Sequence, residues 1–173
     1  MKYILSIIIV IIVYVVISNL VVANNLIPDD AIRVRVIANS NDDYDQQIKY
    51  EVKDIVEEDI YKLLNGVDKI DIARDKISSN LNAVENDIYN FLKKKDYNLG
   101  FDINFGYNYF PKKEFKGITY KEGYYESVVV TLGEGKGDNW WCVLFPPLCL
   151  IEAEDSSDVE YASLVKEVID KFD

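Results

Sequence analysis

The chain has 173 residues, a formal net charge of −11, two cysteines and no histidine. The missing histidine excludes Ser-His-Asp and Cys-His nucleophiles and every His-containing metal site, and two cysteines cannot form a four-cysteine zinc site. The acidic balance argues against nucleic acid, whose phosphates need a basic patch, and serves solubility instead.

Tyr3 to Asn25 carries no charge and is dense in Ile and Val, with Lys2 in front of it. That is the pattern of an export segment. A cleaved signal peptide fits, with Val21 and Ala23 as the small residues before a cut at Asn24. An uncleaved anchor also fits, since Tyr3–Ala23 is 21 residues, enough to cross a bilayer. The apolar run is longer than an ordinary signal's and the cut site is not Ala-x-Ala, which tips the balance toward export with tethering or slow cleavage. No amphipathic period marks it as a buried core helix. The expected organisation is a signal peptide or membrane anchor at 1–25, one domain at 26–151, and an acidic linker with a terminal helix at 152–173. The domain is expected to work outside the cytoplasm, where cysteines can pair.

Leu26 to Asp30 reads as a linker into the domain. Ile32, Val34, Val36 and Ala38 then alternate with Arg33, Arg35 and Ile37, which predicts a strand with one apolar and one partly basic face. Arg33 and Arg35 on that basic face could receive carboxylates bidentately or be solvated. Asn39 to Asp43 ends the strand and offers helix N-cap residues. From Tyr44 the period changes. Tyr44, Ile48, Val52, Ile55, Val56, Ile60 and Leu63 predict an amphipathic helix closed by Asn65-Gly66. Asp68 is placed to cap a second helix with the stripe Ile70, Ala73, Ile77, Leu81, Val84, Ile88 and Phe91/Leu92. Lys93, Lys94 and Lys95 fall in its last turn, against the helix dipole. Both stripes read as core.

Phe101, Ile103, Phe105, Tyr107 and Tyr109 alternate with polar residues and glycine, the cleanest strand pattern in the chain. Ile118 to Tyr120, a turn at Lys121 to Gly123, and a strand from Tyr124 to Leu132 predict a hairpin. Both faces of 124–132 are partly apolar, so this strand is expected to be central and covered by helices on one side. Ser157-x-x-Glu160 is a capping box opening a short amphipathic helix through Tyr161, Leu164/Val165, Val168/Ile169 and Phe172. The sum is an α+β fold with an antiparallel or mixed sheet backed by two helices.

Residues 133–149 hold three glycines, both tryptophans, both cysteines and two of the four prolines. Gly133-x-Gly135-x-Gly137 is not a phosphate loop, because Asp138-Asn139 and a strand-like run follow it where a helix and Ser/Thr are needed. Cys142 and Cys149 have six residues between them, which fits neither a redox Cys-x-x-Cys nor a zinc ribbon. Given export, a disulfide closing a Pro-Pro loop is the expected state, with two buried thiols as the alternative. The carboxylate runs Asp29-Asp30, Asp42-Asp43 and Glu57-Glu58-Asp59 lie in linkers or on polar helix faces, and calcium-loop spacing is absent. No cofactor or small-molecule substrate is called for. Two function classes remain on the residues alone. One is an exported interaction or signalling module. The other is an exported hydrolase that uses carboxylates on cell-wall material.

The run Leu-Gly-Glu-Gly-Lys-Gly-Asp-Asn-Trp-Trp-Cys-Val-Leu-Phe-Pro-Pro-Leu-Cys at 132–149 closely resembles the signature of stage II sporulation protein R of endospore-forming bacteria. Ile-Pro-Asp-Asp-Ala-Ile-Arg-Val-Arg-Val-Ile-Ala-Asn-Ser at 27–40 and Gly-Tyr-Tyr-Glu-Ser at 123–127 agree with it in order. Lys121-Glu122 stands where the family often carries Pro-Ala, a change in turn stiffness. The resemblance implies a protein that is not an enzyme. It implies export from the forespore into the space between forespore and mother-cell membranes. There it would activate a membrane-embedded aspartic-type protease that processes pro-sigma-E. Glu134, Lys136, Asp138, Asn139, Trp140 and Trp141 are then candidate receptor contacts, on a turn shaped by Gly133, Gly135 and Gly137. The competing reading of the two tryptophans is core packing.

Overall fold

The structure, a computed structural model, describes residues 9–14, 30–115 and 118–147. Most of the 1–25 segment, the 152–173 segment with its capping box, and Cys149 lie outside these residues. Residues 9–14 are helical and exposed. Among the described residues no helix is long and apolar enough to cross a membrane.

The domain is α+β. Strand β1 (Ile32–Ile37) leads into helix α1 (Asp43–Leu64) and helix α2 (Ile70–Lys94). Five strands follow: β2 (Phe101–Phe110), β3 (Lys113–Phe115), β4 (Ile118–Tyr120), β5 (Gly123–Leu132) and β6 (Asn139–Phe145). Four of the strands form one mixed sheet in the order β2-β5-β1-β6. β1 runs parallel to β5 and antiparallel to β6, and β2 is antiparallel to β5. The expected central position of the 124–132 strand is therefore observed. The expected hairpin between 118–120 and 124–132 is not. β4 pairs with β3 in a separate two-stranded sheet, and β5 pairs with β2 and β1. A three-residue strand buries too little to compete for a long neighbour whose two edges are already taken.

Alternation sets the two faces of the sheet. Ile32, Val34 and Val36 of β1 share a face with Val128, Val130 and Leu132 of β5, and with Phe101, Ile103 and Phe105 of β2. Trp140 and Cys142 of β6 complete it, with Phe145 opposite Ile32 beyond a bulge. The helices lie on this face. Ile48, Val52, Val56 and Ile60 of α1 and Ala73, Ile77, Val84, Ile88 and Leu92 of α2 join the strand residues in one buried cluster. These follow the predicted helical stripes, except that Tyr44 is exposed and Leu64, not Leu63, joins the cluster at the end of α1; each fully buried aliphatic contributes about 1.5–3 kcal/mol. Asp42 occupies the N-cap of α1 but makes no side-chain cap bond, and Lys69, not Asp68, is the N-cap of α2. Gly66 follows α1 at φ 73°, as the helix-closing glycine should.

The opposite face is not covered by helices. By register, Phe110 lies opposite Gly123, and Trp141 lies level with Arg35 and Val129. In a flat sheet those levels would be about 20 Å apart, at roughly 3.3 Å per residue. Yet the rings of Phe110 and Trp141 are 5.1 Å apart, edge to face. The far end of the β2–β5 ladder therefore curls over the open face. It brings the Tyr125 ring to 3.4 Å from the Arg33 guanidinium carbon, and the Tyr109 carbonyl to 3.2 Å from Arg35 Nη1.

Candidate functional site

The site grows from the turn between β5 and β6. Leu132 ends β5, and the chain must reverse within a few residues to start β6 at Asn139. Gly133 and Gly135 sit at φ 54° and 63°, a region costly for residues with a Cβ. Gly135 donates to the Leu132 carbonyl at 3.0 Å, closing the first bend. Gly137 has ordinary φ but no room. A Cβ there would run into the Ser40 carbonyl and lie 2.8 Å from Ala38 Cβ. All three glycines answer a geometric demand, and none of it involves phosphate.

The turn is stapled to the segment after β1. Lys136 donates to Asn39 O at 3.0 Å and Gly137 to Ala38 O at 2.9 Å. The Asn39 side chain accepts from the Glu134 amide at 2.9 Å and donates to Asp45 of α1 at 2.7 Å. Asn41 Oδ1 accepts from the Asp138 amide at 2.7 Å. Gln46 donates to the Ser40 carbonyl at 2.8 Å and accepts from the Lys49 amine at 2.6 Å. Asn39, Asn41, Asp45, Gln46 and Lys49 thus hold the turn, and the sequence reading named none of them as site residues. Its only signal was the polar Asn39–Asp43 run, read there as helix caps. Lys49 is the largest surprise, because it is 2% exposed on a helix whose other buried positions are mostly aliphatic.

The six candidate contact residues separate by environment. Glu134, Lys136 and Asp138 are exposed. Glu134 and Lys136 form an ion pair, which holds the Glu134 carboxyl below its ordinary range and raises the Lys136 amine. Asn139, Trp140 and Trp141 are half-buried. Trp140 packs against the core cluster, with Lys53 Nζ 5.2 Å from its ring centre. Trp141 faces the other way, against Phe110, with Lys113 Nζ at 4.8 Å. The tryptophans therefore flank the strand on both faces, each part core and part surface.

Arg33 and Arg35 are not on a solvated face. Arg33 is 6% exposed beneath Tyr125, and Arg35 lies near the rings of Phe110 and Trp141. Burial lowers the Arg35 guanidinium from its ordinary value. Burial also lowers the Lys113 amine, and the nearby Lys49 adds to that while Asp138 opposes it. Of the carboxylate runs, Glu57-Glu58-Asp59 places Asp59 near a second acid on the other helix. Desolvation raises its carboxyl, and Asp87 on α2 raises it further. No group of three metal-binding side chains converges among the described residues. No cysteine among them is a free thiol. A pairing of Cys142 with Cys149 involves a residue outside the description and remains a proposal.

The profile of the stage II sporulation protein R family matches residues 28–155, which takes in β1 through β6. The chain belongs to the stage II sporulation protein R family. It is 38% identical over 135 residues to the protein named stage II sporulation protein R from Bacillus subtilis strain 168. That alignment covers 78% of this chain and 60% of the relative, so the chain spans about three fifths of the relative's length. No solved structure matches. The matched span takes in the stapled turn and β6, an edge strand among the described residues.

Proposed function

We propose that this protein is a secreted developmental signal of endospore formation. In this reading it leaves the forespore and enters the space between the forespore and mother-cell membranes. There it activates a membrane-embedded aspartic-type protease, which then processes pro-sigma-E. It acts by binding and not by catalysis. The observation that supports the reading best is the signature segment itself. Its glycines and backbone bonds hold in place one strand, an edge strand among the described residues, with Trp140 and Trp141 half-exposed on it. Half-buried aromatics on a rigid scaffold are what a protein-binding surface needs. Activation then follows if the signal binds the protease's active arrangement better than its inactive one.

Co-expression of this chain, its cognate protease and pro-sigma-E in a non-sporulating host tests the role. Processing should require the chain, and processing that runs equally well without it removes the proposal. Trp140→Ala and Trp141→Ala should each lower processing by about tenfold or more, the ordinary effect of truncating an aromatic anchor. Folding is checked in parallel by circular dichroism. A folded variant with normal processing overturns the contact assignment of that tryptophan.

A further inference from the structure

β6 is an edge strand of the sheet among the described residues. Its inner edge is bonded to β1, and the bond from the Ala38 amide to the Asp138 carbonyl sets the phase of that ladder. In an antiparallel pair alternate residues bond inward, so with 38/138 and 36/140 bonded, Asn139 and Trp141 turn their backbone groups outward. Two buried side-chain atoms at the same two residues also lack partners among the described residues: Asn139 Oδ1 and the Trp141 indole N–H. Polar groups left this way cost free energy until something bonds them.

The charge around this edge is mixed: the exposed Asp138 precedes it and acts on Lys113, but the amines beside it are outside any ion pair. Lys113 crosses over from β3 to lie against Trp141, and its electrostatic neighbour Lys49 sits on α1. Neither has a carboxylate within ion-pair distance among the described residues. Lys49 is 2% exposed, and its amine has Gln46 Oε1 and the Tyr50 ring for company. A buried ammonium without a counter-charge is expensive, and a carboxylate brought to Lys113 would relieve both amines. In a protein of net charge −11, two amines outside any ion pair, near a strand edge that is open among the described residues, form a local exception.

We propose that the Asn139–Trp141 edge of β6 receives an extended, acidic segment of the partner protein, which adds a strand to the sheet and places a carboxylate at Lys113. The backbone groups of Asn139 and Trp141 bond the added strand. Lys49 acts from behind as field, and Lys113 makes the contact. Main-chain bonding provides affinity and the lysine selects acidic sequences. This rests on the signalling role proposed above and specifies the kind of segment that role would need.

Both tryptophans of the chain stand at this edge, so intrinsic fluorescence reads the site directly. The full-length chain, held in detergent micelles, is titrated with overlapping blocked peptides covering the extracytoplasmic segments of the cognate protease. A peptide with carboxylates at alternating positions should shift the tryptophan emission. Replacing its acids by amides should weaken it about tenfold, as should Lys113→Glu in the chain. Asn139→Pro, which deletes an outward amide, should weaken it as well. Emission changes indifferent to the peptide acids and to Lys113 overturn the proposal. No response to any peptide, while processing still depends on the chain, overturns it and leaves the signalling role standing. A response that appears only after Glu152, Glu154, Asp155, Asp158 and Glu160 are changed to their amides would mean that the chain's own acidic tail fills the edge, and that also overturns it. Acid-dependent binding with processing independent of the chain supports the edge and removes the signalling role.

Discussion

Glycine at 137 and glycine at 66 look alike in sequence, and the structure makes different demands of them. Gly66 has positive φ and open space, so a methyl there meets only backbone strain. Its alanine variant should cost about 1 kcal/mol, the usual left-handed penalty. Gly137 has ordinary φ, but its missing Cβ leaves room for the Ser40 carbonyl. Gly137→Ala must push the turn off the Asn39–Asn41 segment, at about 2–3 kcal/mol. Urea midpoints of the two variants check the order, and equal losses would mean that the turn is not held by close approach. The same contrast shows what a sequence can carry. A run of three spaced glycines announces a tight turn. It does not announce which of them serves φ and which serves clearance, because clearance depends on a segment almost 100 positions away.

At the scale of elements, what was legible was period and what was hidden was pairing. Ile48, Val52, Val56 and Ile60 fall on one side of α1 because 3.6 residues make a turn, and no tertiary information is needed to see it. The alternation in β1, β2 and β5 is equally local. The parallel match of β1 with β5 is not, since it joins residues more than 90 positions apart. Nor is the curl that buries Phe110 and Arg33 and half-covers Arg35. Their sequence reading as a basic face had the right side of the sheet and lacked the cover. The same limit hid the partner of Glu126, which stands between Tyr125 and Ser127 on the side of β5 that carries Val128 and Val130. In the fold it reaches α2, where Arg74 holds both its oxygens at 2.6 and 2.9 Å. The Glu126 side chain is 8% exposed and that of Arg74 36%, so the pair is half-screened. Its carboxylate raises the Arg74 guanidinium further above its ordinary value. Glu126→Gln should therefore destabilise the α2–β5 contact by about 2 kcal/mol, below the loss for a fully buried pair. Arg74→Leu together with Glu126→Leu should recover part of that loss in a double-mutant cycle measured by urea unfolding. If the single variant unfolds at the wild-type midpoint, the pair is ornamental.

At the scale of the whole molecule, the pH dependence of stability follows from opposed groups. A net charge of −11 makes the folded chain repel itself at neutral pH, and the repulsion fades as pH falls toward the sequence pI of about 4.5. Asp59 acts in the same direction. Desolvation first, then Asp87, raise its carboxyl above the ordinary 3.8, with Lys62 pulling against them and Glu58 adding a smaller push upward. A folded-state pKa above the unfolded one means that the protonated form is favoured by folding. The resulting stability is fully present below the unfolded pKa and is lost as pH rises through the folded one. Glu51 has the opposite sign. Hydrogen bonds from Lys95 and Gln47 hold its carboxyl below its ordinary 4.5, so its contribution is present above that value and is lost as pH falls through the lower folded one. The two trends cross, and the stability maximum should lie at about pH 5, toward the acidic end of the usual range. Asp59→Asn should then raise the urea midpoint at about pH 7 and change it less as pH falls below the ordinary carboxyl value of 3.8, where the protonated form is favoured folded and unfolded. Equal effects above and below that value would place the cause in packing between α1 and α2 and not in the Asp59 charge.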